Sequence, residues 1–230
     1  TPEGPGRSIN LLETLANSKG IYVAGAEKLI QKNYHFLKTA RLGKMDRYLY
    51  KYRDGRIIPL TYFLRIVKFL KINLDNQILS GLKITSRLAN TFLPIRFQTN
   101  ESFLKILGYV VAEGTVTENS VMISNIDNEV LKDIELALKS LGISFYFGNR
   151  GVMIADRVFV EVAKELGLKK KSAQKRTPAA VFSSNKENAA AFLGAYFEGD
   201  GTVAHNCVYA VSKSKELTSD LCYLLYYFGI

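Results

Sequence analysis

The feature that most constrains this chain is an internal repeat. Set against itself at an offset of 87 residues, the sequence aligns 106–143 with 193–230 without a gap, and eleven of the 38 positions are identical. The identities include Tyr109/Tyr196, Gly114/Gly201, Thr115/Thr202, Asn119/Asn206, Glu129/Glu216, Asp133/Asp220 and Gly142/Gly229, and the pairs Glu113/Asp200 and Ile134/Leu221 are chemically alike. A register held for so long marks a duplicated supersecondary unit, so both copies are expected to fold alike.

Each copy reads locally in the same way. An apolar helix ends at an acid followed by Gly114 or Gly201, a short strand pair follows, and an amphipathic helix then ends at Gly142 or Gly229. Small residues line one side of the apolar helices (Gly108 and Ala112; Gly194, Ala195 and Gly199), which lets two backbones approach closely. A pseudo-two-fold pair joined through these helices brings Glu113 and Asp200 together. Adjacent carboxylates repel unless a divalent cation or a shared proton offsets the charge.

Charge divides the chain differently. Residues 1–98 hold 17 Lys and Arg against 6 Asp and Glu, whereas residues 99–230 hold 14 against 15, so the net charge of +10 is confined to the N-terminal part. There, basic residues interleave with tyrosines: Arg47, Tyr48, Tyr50, Lys51, Tyr52, Arg53 and Arg56. That pattern is the footprint of a surface that neutralises phosphates, with a solvated helix face as the plainer reading. Helices are expected over Ser8–Asn17 and Ala24–Leu42 and after Pro59, with a strand-like alternation at Tyr48, Tyr50 and Tyr52 before the Asp54-Gly55 turn. Residues 1–98 thus read as a basic, mostly helical, winged-helix-like DNA-recognition module, and Leu93–Phe97 as a strand or linker into the next domain. Asn100 is placed to cap the helix that follows.

Other classes are excluded. No apolar run approaches the roughly 18 residues of a membrane span, and Thr1–Asn10 lacks a secretory pattern. The only cysteines, Cys207 and Cys222, provide neither a disulfide framework nor a zinc site, which points to a reducing, cytoplasmic setting.

Ile106-Leu-Gly-Tyr-Val-Val-Ala-Glu-Gly114 and Leu193-Gly-Ala-Tyr-Phe-Glu-Gly-Asp-Gly201 resemble the two signatures of the LAGLIDADG homing endonucleases, above all the archaeal intein-encoded ones. Lys175-Arg-Thr-Pro178 similarly resembles the Lys-x-Ile-Pro block before the second motif of that group, and Ser214–Leu217 the start of its following helix. The resemblance covers about residues 93–230. It implies an α+β core of two pseudo-symmetric units, each helix-strand-strand-helix-strand-strand-helix, whose sheets form a saddle over double-stranded DNA. It further implies a monomeric, site-specific endonuclease in which Glu113 and Asp200 hold Mg2+ or Mn2+, with Gly114 and Gly201 as motif glycines. Lys175 matches the lysine near the cleavage centre, and Lys213 is a weaker candidate of that kind for DNA contact.

On this reading unit one is 99–168, the linker 169–188 and unit two 189–230, the whole forming an endonuclease domain over 99–230. Unit two lacks a counterpart to residues 144–168, so the chain is expected to be an incomplete piece of a longer host or intein polypeptide. An unpaired sheet edge should result, together with an exposed apolar side of the helix holding Leu221, Leu224 and Leu225, and Tyr223, Tyr226, Tyr227 and Phe228 read as a core face left open. No N-terminal splicing block is present, and His205-Asn206-Cys207, though it has the form of a splice junction, falls opposite Glu118-Asn119-Ser120 and reads as a hairpin turn. Glu198 is a weaker candidate ligand, because its repeat partner is Val111. The competing functions are a non-catalytic nucleic-acid binder or RNA maturase on the same scaffold, and a degenerate structural fragment. Retention of both acids favours the enzyme.

Overall fold

The computed structural model describes residues 8–88 and 91–230. They form two compact units, residues 9–97 and residues 98–230, the latter with Ser8.

In the first unit the order is β1 (Ser8–Asn10), α1 (Leu11–Thr14), β2 (Ile21–Ala24), α2 (Glu27–Thr39), α3 (Leu49–Arg53), β3 (Ile58–Pro59), α4 (Leu60–Leu70), α5 (Asn76–Gly81), β4 (Lys83–Ser86), β5 (Leu93–Pro94) and β6 (Arg96–Gln98). Strands β3, β2, β4 and β5 lie side by side in one antiparallel sheet, while β1 pairs with β6. Ile21 and Val23 on β2, Ile84 on β4 and Ile58 on β3 are buried, and α4 adds Leu60, Phe63 and Ile66. Helices still contribute most of the regular structure.

Three expectations are corrected here. Ser8 begins a strand rather than a helix; the helix starts at Leu11, where the Asn10 side chain accepts the Leu12 N–H at 3.2 Å. The helix expected from Ala24 starts at Glu27, because Gly20 and Gly25, with φ of 78° and 84°, bracket the short strand β2. A side chain at Gly25 would also collide with the Gly81 carbonyl. Tyr48, Tyr50 and Tyr52 lie on a helical turn and α3, not on a strand: Leu49 and Tyr52, three apart, are buried together while Tyr50 points to solvent.

The second unit runs α6 (Glu101–Glu113), β7 (Gly114–Val116), β8 (Val121–Ile123), α7 (Asn128–Ser140), β9 (Tyr146–Gly148), β10 (Gly151–Ile154), α8 (Arg157–Glu165), α9 (Ala179–Phe182), α10 (Lys186–Asp200), β11 (Gly201–Ala204), β12 (Cys207–Ala210) and α11 (Lys215–Tyr227). The first repeat is therefore helix-strand-strand-helix-strand-strand-helix, with its sheet in the antiparallel order β7-β8-β10-β9. Five helix starts carry side-chain caps: Asn100, Asp127, Asp156, Asn185 and Ser214. Such a cap is worth about 1 kcal/mol. Asp127 and Ser214 are repeat equivalents, so the cap was kept while the residue changed.

Helices α6 and α10 pack along their length. A methyl on Gly108 would lie 2.9 Å from Ala195 Cβ and 2.5 Å from the Phe192 carbonyl, and one on Gly199 would lie 2.8 Å from Ala112 Cβ. Since 108/195 and 112/199 are themselves repeat equivalents, each small residue touches its own counterpart, as a pseudo-two-fold axis between the helices requires.

In the second repeat β11 and β12 form a two-stranded hairpin, turned by His205 and Asn206 at φ of 50° and 59°. Two successive left-handed residues make the mirror-image turn that suits a two-residue hairpin, as expected for this tripeptide. Among the described residues β12 has no second partner strand, and Val203 and Val208 are exposed. The expected exposure of Leu221 and Leu224 is overturned: they are 6% and 3% exposed. The turn at Ser172–Gln174 packs on α11, and the chain that follows it is pinned to Asp220. Tyr223, Tyr226 and Tyr227 are the large apolar residues of α11 that face solvent.

Candidate active site

Glu113 and Asp200 are the last residues of α6 and α10, and the close helix contact is what sets them together. A methyl on Gly199, the neighbour of Asp200, would sit 3.5 Å from Glu113 Cγ and 3.8 Å from its Cδ. Each acid is followed by a glycine for a steric reason. A Cβ at Gly114 would run into the Val110 carbonyl and one at Gly201 into that of Phe197, because the chain leaves the helix over its own last turn into β7 or β11.

The two carboxylates are not equivalent. Asn125, in the loop after β8, donates its side-chain N–H to Glu113 Oε1 at 3.2 Å, while Glu113 Oε2 is buried with no hydrogen-bond partner. Burial and, secondarily, the Asp200 charge push the Glu113 carboxyl up, against the lowering effect of Asn125 and Lys175. Asp200 is more open to solvent, yet partial burial still raises it, against the pull of Lys175. A desolvated carboxylate oxygen without a donor costs free energy that a bound cation or a proton offsets.

Lys175 completes the cluster from the linker. Its Nζ donates to the carbonyls of Val111 at 2.7 Å, Ala112 at 3.1 Å and Gly114 at 3.3 Å, at the C-terminal end of α6. A cation is favoured there by the helix dipole. Burial lowers its pKa, opposed by the charges of Asp200 and Glu113. Lysine and both acids therefore act on one another electrostatically.

The remaining candidates lie elsewhere. Glu198 accepts the Tyr109 hydroxyl at 2.6 Å, and that hydroxyl also lies 2.9 Å from Asp133 Oδ2, so Glu198 ties the helices rather than joining the carboxylate cluster. Lys213 is exposed in the loop between β12 and α11. In the first unit, Arg47 lies 4.7 Å from the Tyr48 ring and Lys51 lies 5.3 Å from the same ring and 5.7 Å from that of Tyr50. Arg53 stacks on Tyr34 at 4.8 Å and pairs with Asp54, and Arg56 is exposed. Sequence reasoning missed Asn125, for which the repeat gave no signal because its counterpart is Ser212. It also missed the partners of Asp133 and Asp220, although their identity in the repeat was a signal.

Among the described residues no group of three or more His, Cys, Asp or Glu side chains converges as a metal site, and no helix is long and apolar enough to cross a membrane. Two carboxylates, one of them with an unpartnered buried oxygen, are nonetheless a donor set for a hard cation. Residues 100–148 and 187–230 match the LAGLIDADG-like domain. The chain carries a LAGLIDADG-like domain in two segments. This LAGLIDADG chain is 32% identical over 197 residues to the DNA polymerase II large subunit of Thermococcus kodakarensis, a match that covers 79% of the chain and 10% of that protein. It is 30% identical over 158 residues to the DNA-directed RNA polymerase subunit Rpo1C of Methanocaldococcus jannaschii, covering 64% of the chain and 18% of the relative. A third match, 28% over 143 residues, is to the ribonucleoside-diphosphate reductase NrdEB subunit alpha of Bacillus subtilis, covering 53% of the chain and 13% of that subunit. The chain thus spans less than a fifth of each of these relatives.

Proposed function

We propose that this LAGLIDADG protein is the endonuclease part of an intein, hydrolysing a phosphodiester bond in each strand of a long double-stranded DNA site. A DNA polymerase, an RNA polymerase subunit and a nucleotide reductase have unrelated chemistry, so a short segment common to them is best explained as an element inserted into each host. The observation that carries the catalytic reading is Glu113: one oxygen is held by Asn125 and the other is desolvated with no donor, beside Asp200. A non-catalytic binder or RNA maturase gains nothing from two acids that repel both each other and a phosphate backbone.

Glu113 and Asp200 would hold Mg2+ or Mn2+, which when bound supplies charge neutralisation at the scissile phosphate and a more acidic water. The rest falls to the chain. Asn125 keeps Glu113 from rotating, the bare helix crossing excludes water behind the acids, and Lys175 presents a positive charge to phosphate from the α6 terminus. The pseudo-two-fold pair of units within one chain supports action as a monomer on two strands.

The test is to incubate the protein with sheared genomic DNA and Mg2+ and sequence the ends produced. Discrete paired ends are expected, lost by more than roughly 10²-fold in Glu113→Gln and in Asp200→Asn while DNA affinity stays near that of the parent. Ends that persist in both variants, or affinity that falls with cleavage, would overturn the reading.

A further inference from the structure

Asp133 and Asp220 occupy the same position of the repeat but hold different things. In the first repeat Asp133 accepts Lys105 Nζ at 2.9 Å and lies 2.9 Å from the Tyr109 hydroxyl, so it ties α7 to α6. In the second repeat the counterpart of Lys105 is Phe192, fully buried, and the hydroxyl of Tyr196, the counterpart of Tyr109, is buried with no partner. Asp220 has turned instead to the linker. It takes both arms of Arg176, Nε to Oδ2 at 3.1 Å and a terminal nitrogen to Oδ1 at 2.7 Å, and it accepts the Thr177 backbone N–H at 3.0 Å. On the other side of the same residue pair, the Ser214 hydroxyl donates to the Lys175 carbonyl at 2.7 Å.

These contacts pin the main chain immediately before and after Arg176, and Lys175 is the residue whose side chain leaves that pinned stretch for the α6 terminus. We infer that Arg176, Asp220 and Ser214 are positioning residues that set Lys175 at the carboxylate site, a role that rests on the endonuclease reading above. The geometry explains why the second repeat abandoned the helix–helix tie of the first. A buried aspartate whose lysine partner has become Phe192 needs another cation, and Arg176 supplies one with a fork that also fixes direction. Asp220 is 8% exposed at its side chain and Arg176 is 59% exposed, so the aspartate is the fixed post and the linker is what it holds. A single ionic contact would tether the linker; the fork, the Thr177 N–H and the Ser214 hydroxyl together fix its path.

The experiment is competitive amine labelling of the whole protein at one pH, read by mass spectrometry, with Lys169, Lys170 and Lys171 of the same linker as internal references. In the parent, Lys175 should label well below Lys170. Arg176→Gln should bring it up to the Lys170 rate and lower single-turnover cleavage by up to about 10²-fold at unchanged DNA affinity, the scale of a misplacement near 1 Å. Arg176→Lys should recover part of both effects, and Asp220→Asn should act like Arg176→Gln. Because Arg176 is largely exposed, its replacement keeps the test open even where Asp220→Asn unfolds the protein. The inference is overturned if Lys175 labelling is unchanged in Arg176→Gln, or if Lys105 and Lys139 become reactive together with it, which would mean general loosening. A labelling response in a protein that cuts no DNA supports the positioning and removes the nuclease reading, so the two fail separately.

Discussion

Glu113 and Asn125 form a pair in which the amide fixes the direction of the carboxylate. With Oε1 engaged at 3.2 Å, the free oxygen is the buried one, so Asn125 chooses which lone pairs are available. Removing a residue that orients a metal-holding side chain commonly weakens metal affinity or activity by about 10–100-fold. Asn125→Ala should therefore raise the Mg2+ concentration needed for half-maximal cleavage by that factor. An unchanged Mg2+ titration would show that Asn125 serves only the loop, where it also accepts the Asp127 N–H at 2.8 Å. Both acids were legible in the sequence because each sits before a sterically required glycine in a gapless repeat. Asn125 was not legible, since it lies in a loop and its repeat counterpart is Ser212, although both accept the backbone N–H two residues on.

At the level of elements, α6 and α10 cross where Gly108, Ala112, Ala195 and Gly199 leave the backbone bare, while Gly194 on α10 has open space around it. Gly108→Ala must displace backbone and should cost about 1–3 kcal/mol in urea unfolding. Gly194→Ala should stabilise by about 0.5–1 kcal/mol through helix propensity alone. Equal effects would mean the crossing is looser than the distances indicate. The two repeat-related tyrosines give a second matched pair. Tyr109 donates between Asp133 and Glu198, and its pKa is raised by burial and then by those acids; Tyr196 is equally buried with a hydroxyl that has no partner. Tyr109→Phe should cost about 1.5 kcal/mol and Tyr196→Phe close to nothing, since the phenol removed there made no hydrogen bond. Thermal melts of the two variants side by side decide it. The repeat disclosed the elements of 98–230 because identity at a fixed offset is insensitive to local ambiguity. No such check existed for 9–97, where alternating tyrosines mimic a strand and a four-residue strand between two glycines is too short to show a period.

Across the whole molecule, charge and chemistry are separated along the chain. The carboxylate site lies within residues 98–230, whose charge is balanced, and the excess cations lie within residues 1–98. On the proposed endonuclease reading, a unit with balanced charge would gain little affinity for a polyanion from its own field, and phosphate neutralisation would fall to the segment of residues 1–98. The aromatic partners of its cations fit that task. Arg47 and Lys51 rest against Tyr48, and Arg53 rests on Tyr34, which holds long side chains extended at the surface and limits the entropy cost when a phosphate is met. Each phosphate that is no longer neutralised should reduce the slope of log affinity against log salt by about 0.9 for duplex DNA. Replacing Arg47, Lys51, Arg53 and Arg56 together with glutamine should therefore weaken binding most at low salt and flatten the slope by up to about 3.6. The cleavage rate of DNA once bound should stay at the parent value, because the four belong to residues 9–97 and the carboxylates to residues 98–230. Arg53 is the test within the test: its pairing with Asp54 already satisfies part of its charge, so reverting that one position should restore less of the slope than reverting Arg47. A salt slope that stays at the parent value in the fourfold variant would place the DNA-binding charge outside this basic, tyrosine-rich segment.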